Sequence, residues 1–441
     1  MKKILFFTGK SFSHINPIIP LIKRLKEEGY DVYCFSTMNN KDVLEMNGAE
    51  FMEYPKGFYD FKCNEKLDVM LDEIDRKINN CTEAHQLKEL FWFTIKKDIM
   101  NHYDFREQDM LSITNIVRKI QPDVVFRDAV DIAGKQIARR LNMKRIGYIT
   151  CNLYSDLYFA KDPKYYYSHF LRITEVDDLL SEEEYKNFHS IATDIYAEVA
   201  TKLNTFQIPT YCHFDPNEKH NIIFSTDFLQ PAELNENNEY IIVPPQIESF
   251  SEELSFNEDP ELYHFIQGEE KLIYIATGSF VTEQDNYYLS LIEAFHSTNY
   301  KLLISWNKDE KLVKELLKDY YNPDKLFIRK YLPQKAILKY VSLFITSGGM
   351  NSILESIYNQ VPMLVKPISA EQVMNGLLIE ELGLGLTTYK KREHYMTTGE
   401  MILQLLFDSK YKQAIKEYAV ELYQSKTEER LDLVIEMLDS I

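Results

Sequence analysis

Residues 329–385 read RKYLPQKAILKYVSLFITSGGMNSILESIYNQVPMLVKPISAEQVMNGLLIEELGLG. Inside this stretch the apolar run 343–345 has the character of a buried strand. It ends in Thr346-Ser347-Gly348-Gly349, and a helix is expected to open near Met350-Asn351-Ser352. Paired glycines let backbone approach a ligand closely. The first turn of a helix offers unpaired N–H groups and the positive end of its dipole. A strand, a glycine turn and a helix start together make a phosphate site that needs neither metal nor lysine. A phosphate-bearing ligand such as a nucleotide is the expectation.

The pattern around this stretch is repetitive. Before it, residues 272–276, 301–305 and 325–328 read as strands, with helices over 286–296 and 308–320 between them. The first half has the same rhythm: strands at 4–8, 32–36, 123–126 and 145–149, helices at 15–28, 41–47 and 132–141. Short apolar strands alternating with amphipathic helices imply α/β architecture with parallel, doubly wound sheets covered on both faces. From 229 to 268 the rhythm breaks among Pro231, Pro244, Pro245 and Pro260, which reads as an interdomain linker. The expected organisation is a first domain over 1–228, a linker over 229–268, a second domain over 269–420, and a last helix over 421–441 that packs back on the first domain.

Composition narrows the partners. The 441 residues suffice for two cores, and 45% hydrophobic content fits a globular chain. A net charge of −18 argues against a nucleic-acid partner. The five cysteines are scattered, so neither a disulfide framework nor a zinc knuckle is expected, and a reducing cytoplasm fits. The apolar run 4–7 is too short for a signal peptide, and no stretch approaches a membrane span.

Two candidate groups lie at strand ends of the first half. His14, in Ser11-Phe12-Ser13-His14-Ile15-Asn16-Pro17, follows the first strand. It is either a general base at the mouth of a crevice or a surface or capping histidine. Asp128, in Pro122-Asp123-Val124-Val125-Phe126-Arg127-Asp128, ends a later strand. It either fixes the tautomer of His14 or caps the following helix, a role for which Asp131 competes. Gly9 is the one glycine of the first turn, so a G-x-G-x-x-G dinucleotide fingerprint is absent. Thr277-Gly278-Ser279-Phe280 forms a second turn that could grip a diphosphate. Aromatic residues crowd 67–120 and 154–203, where they serve as core or line an apolar pocket.

Four pieces of the opening stretch carry a family resemblance: Tyr331-Leu332-Pro333-Gln334, Thr346 through Glu355, Gln360-Val361-Pro362, and Glu371-Gln372-Val373-Met374-Asn375-Gly376. They resemble the nucleotide-sugar signature of the UDP-glycosyltransferase superfamily, in the bacterial branch that glycosylates macrolides and other small apolar acceptors. Residues 13–25 (SHINPIIPLIKRL) and 122–128 (PDVVFRD) resemble that family's first helix and acid position. The resemblance implies a GT-B fold, with two Rossmann-like doubly wound parallel-sheet domains facing across a cleft, the first for the acceptor and the second for the donor.

The resemblance also implies residue roles. Tyr331 would stack on the base where the family usually has Trp, and Gln334 would bond the base edge. Glu355 would accept from the ribose hydroxyls. Ser279, Ser347, Gly348, Gly349, Asn351 and Ser352 would surround the diphosphate, and Glu371 and Gln372 would hold the sugar. His14, oriented by Asp128, would deprotonate the acceptor hydroxyl, and the anomeric centre would invert. UDP-glucose would be the co-substrate and a small apolar or aromatic molecule the acceptor, with no metal and no cofactor; no D-x-D triplet occurs. Besides Tyr331, three positions depart from the family pattern: Ser347 stands for His, Glu371 for Asp and Gly376 for Ala. The first motivates an alternative expectation, a homologue of weak or absent activity that acts as a nucleotide-binding or auxiliary partner.

Overall fold

A computed structural model of the chain describes residues 2–56, 58, 73, 76–103, 106–154, 162–171, 173–174, 176–202, 214–230, 240–246, 259–268, 271–277, 285–317, 320–389 and 396–441. The chain divides into two units, Met1–Pro245 with Lys426–Ile441, and Gln246–Ser425.

Among the described residues of the first unit, seven strands form one sheet: β1 (Lys3–Phe7), β2 (Asp31–Ser36), β3 (Glu50–Glu53), β4 (Val124–Asp128), β5 (Arg145–Ile149), β6 (Asn221–Ile223) and β7 (Tyr240–Ile242). Their order is β3-β2-β1-β4-β5-β6-β7, and every pairing is parallel. Successive side chains of a strand point to opposite faces. Ile4 and Phe6 therefore join one core, and Leu5 and Phe7 the other.

The helix Thr427–Ser440 lays Leu431, Val434 and Leu438 on the first of these faces. Each such side chain contributes about 1.5–3 kcal/mol when fully buried. Arg24 pairs with Asp432 at 2.7 Å and Lys2 with Asp439 at 3.0 Å along the rim of this helix.

Two sequence expectations change. The single helix expected over 15–28 is three pieces: a short helix Phe12–Ile15, a 3-10 turn Asn16–Ile18, and a helix Ile19–Glu27. Pro17 and Pro20 lack the N–H that an uninterrupted helix would use, so each heads a new segment. His14 is thereby carried on its own short turn. Residues 229–268, expected as a linker, contain β7 and a helix Pro260–Ile266. Pro260 there opens the helix, and Asp259 caps it by accepting from the Leu262 N–H at 3.0 Å. Proline marked a helix start at that position, and not loop.

The second unit has, among its described residues, β8 (Leu272–Ala276), β9 (Lys301–Ser305), β10 (Leu326–Arg329), β11 (Leu343–Thr346), β12 (Met363–Val365) and β13 (Gly385–Thr387). They pair in parallel in the order β10-β9-β8-β11-β12-β13. Tyr274 of β8 and Phe344 of β11 stack with ring centroids 5.0 Å apart, inside the sheet's centre. In each sheet the strand order reverses once, between β1 and β4 and between β8 and β11. Loops leaving the carboxyl ends of such a pair diverge to opposite faces, and the crevice between them is where open α/β sheets bind ligands. Among the described residues no helix is long and apolar enough to cross a membrane.

Candidate active site

His14 and Asp128 occupy the reversal point of the first sheet. Asp128 is the last residue of β4 and its side chain is fully buried, while that of His14 is 22% exposed. His14 Nδ1 lies 2.8 Å from Asp128 Oδ2 and 3.1 Å from the hydroxyl of Thr150, the residue that follows β5. A buried carboxylate needs several partners to remain charged. Asp128 also accepts from the Val130 N–H at 3.1 Å and the Gly9 N–H at 3.4 Å.

With the Nδ1 proton directed at the carboxylate, the basic lone pair of the ring is on Nε2. Gly9 makes the close approach possible. A Cβ at that position would lie 2.8 Å from His14 Cγ and 2.9 Å from Val130 Cγ2.

The cap of the helix Ile132–Arg140 is Asp131. Its Oδ1 accepts from the Gly134 N–H at 3.3 Å and its Oδ2 from the Tyr54 hydroxyl at 3.0 Å. Burial pushes the Asp131 carboxyl up to about 6, against the lowering effect of these two bonds, and the neighbouring Asp128 charge adds to the rise. Asp128 is left to the histidine.

Behind it, Arg127 is fully buried, donates to the Asp128 carbonyl at 3.1 Å and pairs with Glu218 at 3.0 Å. Glu218 also holds Arg145 at 2.9 Å. That cluster ties the segment before β6 to the strand that carries Asp128. Thr150 was missed by sequence reasoning. Its signal was positional, since it too follows directly on a strand of the sheet's centre.

At the second reversal point, β11 ends in Thr346 and the chain turns through Ser347, Gly348 and Gly349 into the helix Met350–Tyr358. Gly348 has φ of 85°, a left-handed conformation that favours glycine, and a Cβ there would lie 2.6 Å from Val365 Cγ1. Gly349 is the helix N-cap, and a Cβ on it would meet nothing within 4 Å. Gly349 therefore borders open space at the start of a helix whose first-turn N–H groups include those of Asn351 and Ser352.

The surrounding side chains are tied to one another. Gln334 starts a short helix after Pro333 and donates through Nε2 to Glu355 Oε2 at 2.7 Å and Ser352 Oγ at 3.1 Å. Glu355 is only 6% exposed, whereas Tyr331 is 80% exposed. The helix Ala370–Glu381 reaches the turn twice. Gln372 Nε2 donates to Ser347 Oγ at 3.4 Å, and Asn375 Nδ2 donates to the Gly348 carbonyl at 2.9 Å and to Glu371 Oε1 at 2.5 Å. Asn375 was quoted from the sequence without a role. Its spacing of four residues from Glu371 on one helix was the available signal. Ser279 lies outside the described residues.

The aromatic inserts divide. Phe91 packs against Phe188 at 4.5 Å and Tyr167 at 5.5 Å, within a buried cluster that includes Tyr185. Those rings are core. Trp92, 37% exposed, and Tyr165, 41% exposed, present part of their surface to solvent.

Comparison with known proteins agrees across the whole chain. The family profile described as UDP-glucoronosyl and UDP-glucosyl transferase matches residues 2–436. The uncharacterized UDP-glucosyltransferase YojK of Bacillus subtilis is 25% identical over 426 residues, which cover 96% of this chain and 94% of that protein. The NDP-glycosyltransferase YjiC of the same organism is 23% identical over 433 residues, covering 97% and 94%. Among solved structures, the calicheamicin glycosyltransferase CalG4 superposes with a TM-score of 0.63 at 16% identity, covering 100% of this chain and 99% of that one. That likeness shows a shared GT-B fold. With the profile running through both sheets and both strand-end sites, this chain belongs to the UDP-glucoronosyl and UDP-glucosyl transferase family and is a glycosyltransferase that draws on a nucleotide sugar.

Proposed function

We propose that the protein transfers a hexose, glucose from UDP-glucose in the simplest case, to a hydroxyl of a small apolar or aromatic acceptor such as a macrolide, polyketide or phenol. The supporting observation is the 2.8 Å contact between His14 Nδ1 and the buried Asp128 carboxylate at a sheet reversal point. It leaves Nε2 as the base, and the carboxylate would stabilise the imidazolium that forms.

In the proposed reaction the acceptor hydroxyl gives its proton to His14 Nε2. The acceptor oxygen attacks the anomeric carbon on the face opposite the diphosphate, and the bond to the β-phosphate oxygen breaks. The sugar is delivered with inverted configuration. Charge gathering on the departing diphosphate would meet the turn Ser347–Gly349 and the first N–H groups of the helix Met350–Tyr358, with Ser279 contributing from the turn after β8. Tyr331 would cover the base, with Gln334 beside it. Glu355 would accept from the ribose hydroxyls, and Glu371 and Gln372 would hold the sugar hydroxyls. No step calls on a metal. The cytoplasm, where nucleotide sugars are made, is the proposed site of action.

The relatives named as UDP-glucosyltransferase and as calicheamicin glycosyltransferase support a UDP-sugar donor and a natural-product acceptor. The test is incubation with UDP-glucose and a panel of phenols and macrolides, read by mass spectrometry. A gain of one hexose on an acceptor, with UDP released, is the expected result. UDP binding with no transfer to any acceptor from any nucleotide sugar would sink the reading.

A further inference from the structure

Arg127 stands one residue before Asp128 on β4, and its side chain is fully enclosed. One arm is anchored. Nε pairs with Glu218 at 3.0 Å, and Glu218 also takes Arg145 at 2.9 Å and Arg139 at 3.5 Å. Burial works against the Glu218 charge, but Arg127, Arg139 and Lys135 outweigh it and hold the carboxyl below its ordinary range. The segment that bears Glu218 is itself gripped. Lys135 donates to the Pro216 carbonyl at 3.2 Å and Arg139 to the Asn217 carbonyl at 3.1 Å. Gly147 of β5 lets this segment lie close, since a Cβ there would be 2.5 Å from Pro216 Cβ.

The other arm of Arg127 reaches the dyad. Nη1 donates to the Asp128 carbonyl at 3.1 Å, which also takes the Asp131 N–H at 3.1 Å. The Ala129 N–H donates to the Tyr148 carbonyl at 2.8 Å. That carbonyl and that N–H are the two polar ends of the peptide group leaving Asp128. A peptide is planar, so pinning both ends fixes its plane and, with it, the direction of the Asp128 side chain.

Stability alone is a poor account of this cation. Among the described residues Arg127 Nη2 has no partner. An enclosed charge with an unused donor is costly, and a well-packed apolar residue often supports a fold as well or better. What an apolar residue cannot do is bind the Asp128 carbonyl. Taking the base reading above as given, we propose that Arg127 is a positioning residue for sugar transfer: anchored on Glu218, its guanidinium holds the Asp128 peptide in the plane that aims the carboxylate at His14 Nδ1.

Arg127→Met removes the clamp and its charge and leaves Glu218 with Arg139 and Arg145, so no bare carboxylate remains. Three quantities are measured below the melting temperature: UDP affinity by calorimetry, kcat with UDP-glucose and a phenol, and the proton NMR signal of His14 Nδ1. A proton shared with a carboxylate resonates far downfield, and it is assigned by its loss in His14→Ala and Asp128→Asn. In Arg127→Met, kcat should fall about 10–100-fold from misalignment. The downfield signal should shift or broaden, and UDP affinity should stay at the parent value. Asp128→Asn combined with Arg127→Met should be no slower than Asp128→Asn, because Arg127 acts through Asp128.

A folded Arg127→Met with parent kcat and an unmoved signal makes Arg127 a fold residue and overturns the assignment. A fall in kcat with the signal unmoved overturns it too, as do losses that multiply in the double variant. If Arg127→Met does not fold, Arg127→Gln, also uncharged and too short to span both partners, takes its place with the same expectations. Failure of both to fold assigns Arg127 to the fold. A kcat near the parent's in Asp128→Asn removes the base reading itself, and it is read before any Arg127 variant, so the two failures are told apart.

Discussion

The turn after β4 and the turn after β11 hold the same topological place in their sheets and are built from opposite materials. The first is organised around a buried charge. Asp128 is fully enclosed and gathers His14 and two backbone N–H groups. The second is organised around empty backbone. Gly348 and Gly349 carry no side chain, and the nearby Gln334, Gln372 and Asn375 hold neighbouring groups with neutral amides. A proton-transfer site needs its geometry set before the substrate arrives, which a buried charge enforces. A phosphate site needs room and N–H groups, which glycine and a helix start supply.

The sharpest way to break the contrast is Asp128→Asn. The amide cannot compensate an imidazolium, and it can donate to Nδ1 and so reverse the tautomer. We expect kcat to fall by about 10²–10⁴ with UDP affinity unchanged by calorimetry. A kcat within a few-fold of the parent would show that the carboxylate does not serve the base.

Glycine substitutions read the same contrast at smaller scale. Gly9→Ala would place a Cβ 2.8 Å from His14 Cγ and 2.9 Å from Val130 Cγ2, so the histidine must move. Misplacement of that kind costs on the order of 10² in kcat, with some loss of melting temperature. Gly349→Ala meets no protein atom within 4 Å and sits at φ −65°, which alanine adopts readily. The melting temperature should be unchanged, while UDP affinity falls by about 10-fold from crowding of on the order of 1–3 kcal/mol. If both variants lose stability and neither loses affinity, the second turn is packed structure and not a ligand surface.

Glu355→Gln asks what the carboxylate held by Gln334 beside the second turn does. Gln334 donates to its Oε2 at 2.7 Å. A bond to a charged group is worth about 1.5–3 kcal/mol, so donor KM should rise about 10-fold while kcat changes little, the pattern for lost uniform binding. A fall in kcat at constant KM would move Glu355 from binding to chemistry.

How much of this was legible from the sequence depends on the reach of each signal. Eight strands of the two sheets were readable because each is a short apolar run flanked by turns, as in 4–8 and 343–345, whereas β3, β6, β7, β12 and β13, each of three or four residues, were not read. The glycine turn was readable because Gly348 and Gly349 are adjacent in the chain. The broken helix around Pro17 and Pro20 was not foreseen, since the apolar spacing runs through both prolines and masks the missing N–H groups. The choice between Asp128 and Asp131 as cap stayed open because both fit the spacing. Burial and Tyr54, distant in sequence, decide it. The Thr150–His14 and Gln372–Ser347 pairings were hidden for the same reason, lying between residues 136 and 25 positions apart.

The smallest expected effect concerns Asp131, which tests whether the buried-charge character of the first site extends beyond its dyad. Burial raises this carboxyl to about 6 in the folded protein, while the unfolded chain has it near an ordinary aspartate value of about 4. Between those two values the folded protein holds more protons than the unfolded one. Stability therefore falls as pH rises from about 4 to about 6 and is flat above, by about 3 kcal/mol in all if the group acts alone. Asp131→Asn removes the titration and keeps an acceptor for the Gly134 N–H, while its amide nitrogen can donate to the Tyr54 oxygen. The variant should match the parent near pH 4 and melt a few degrees higher near pH 7.5, with kcat altered only slightly because His14 still has Asp128. The readout is the slope of melting temperature against pH. If that slope is as steep in Asp131→Asn as in the parent, the acid-side stability belongs to another group, and the buried charge of the first site is confined to Asp128 and its partners.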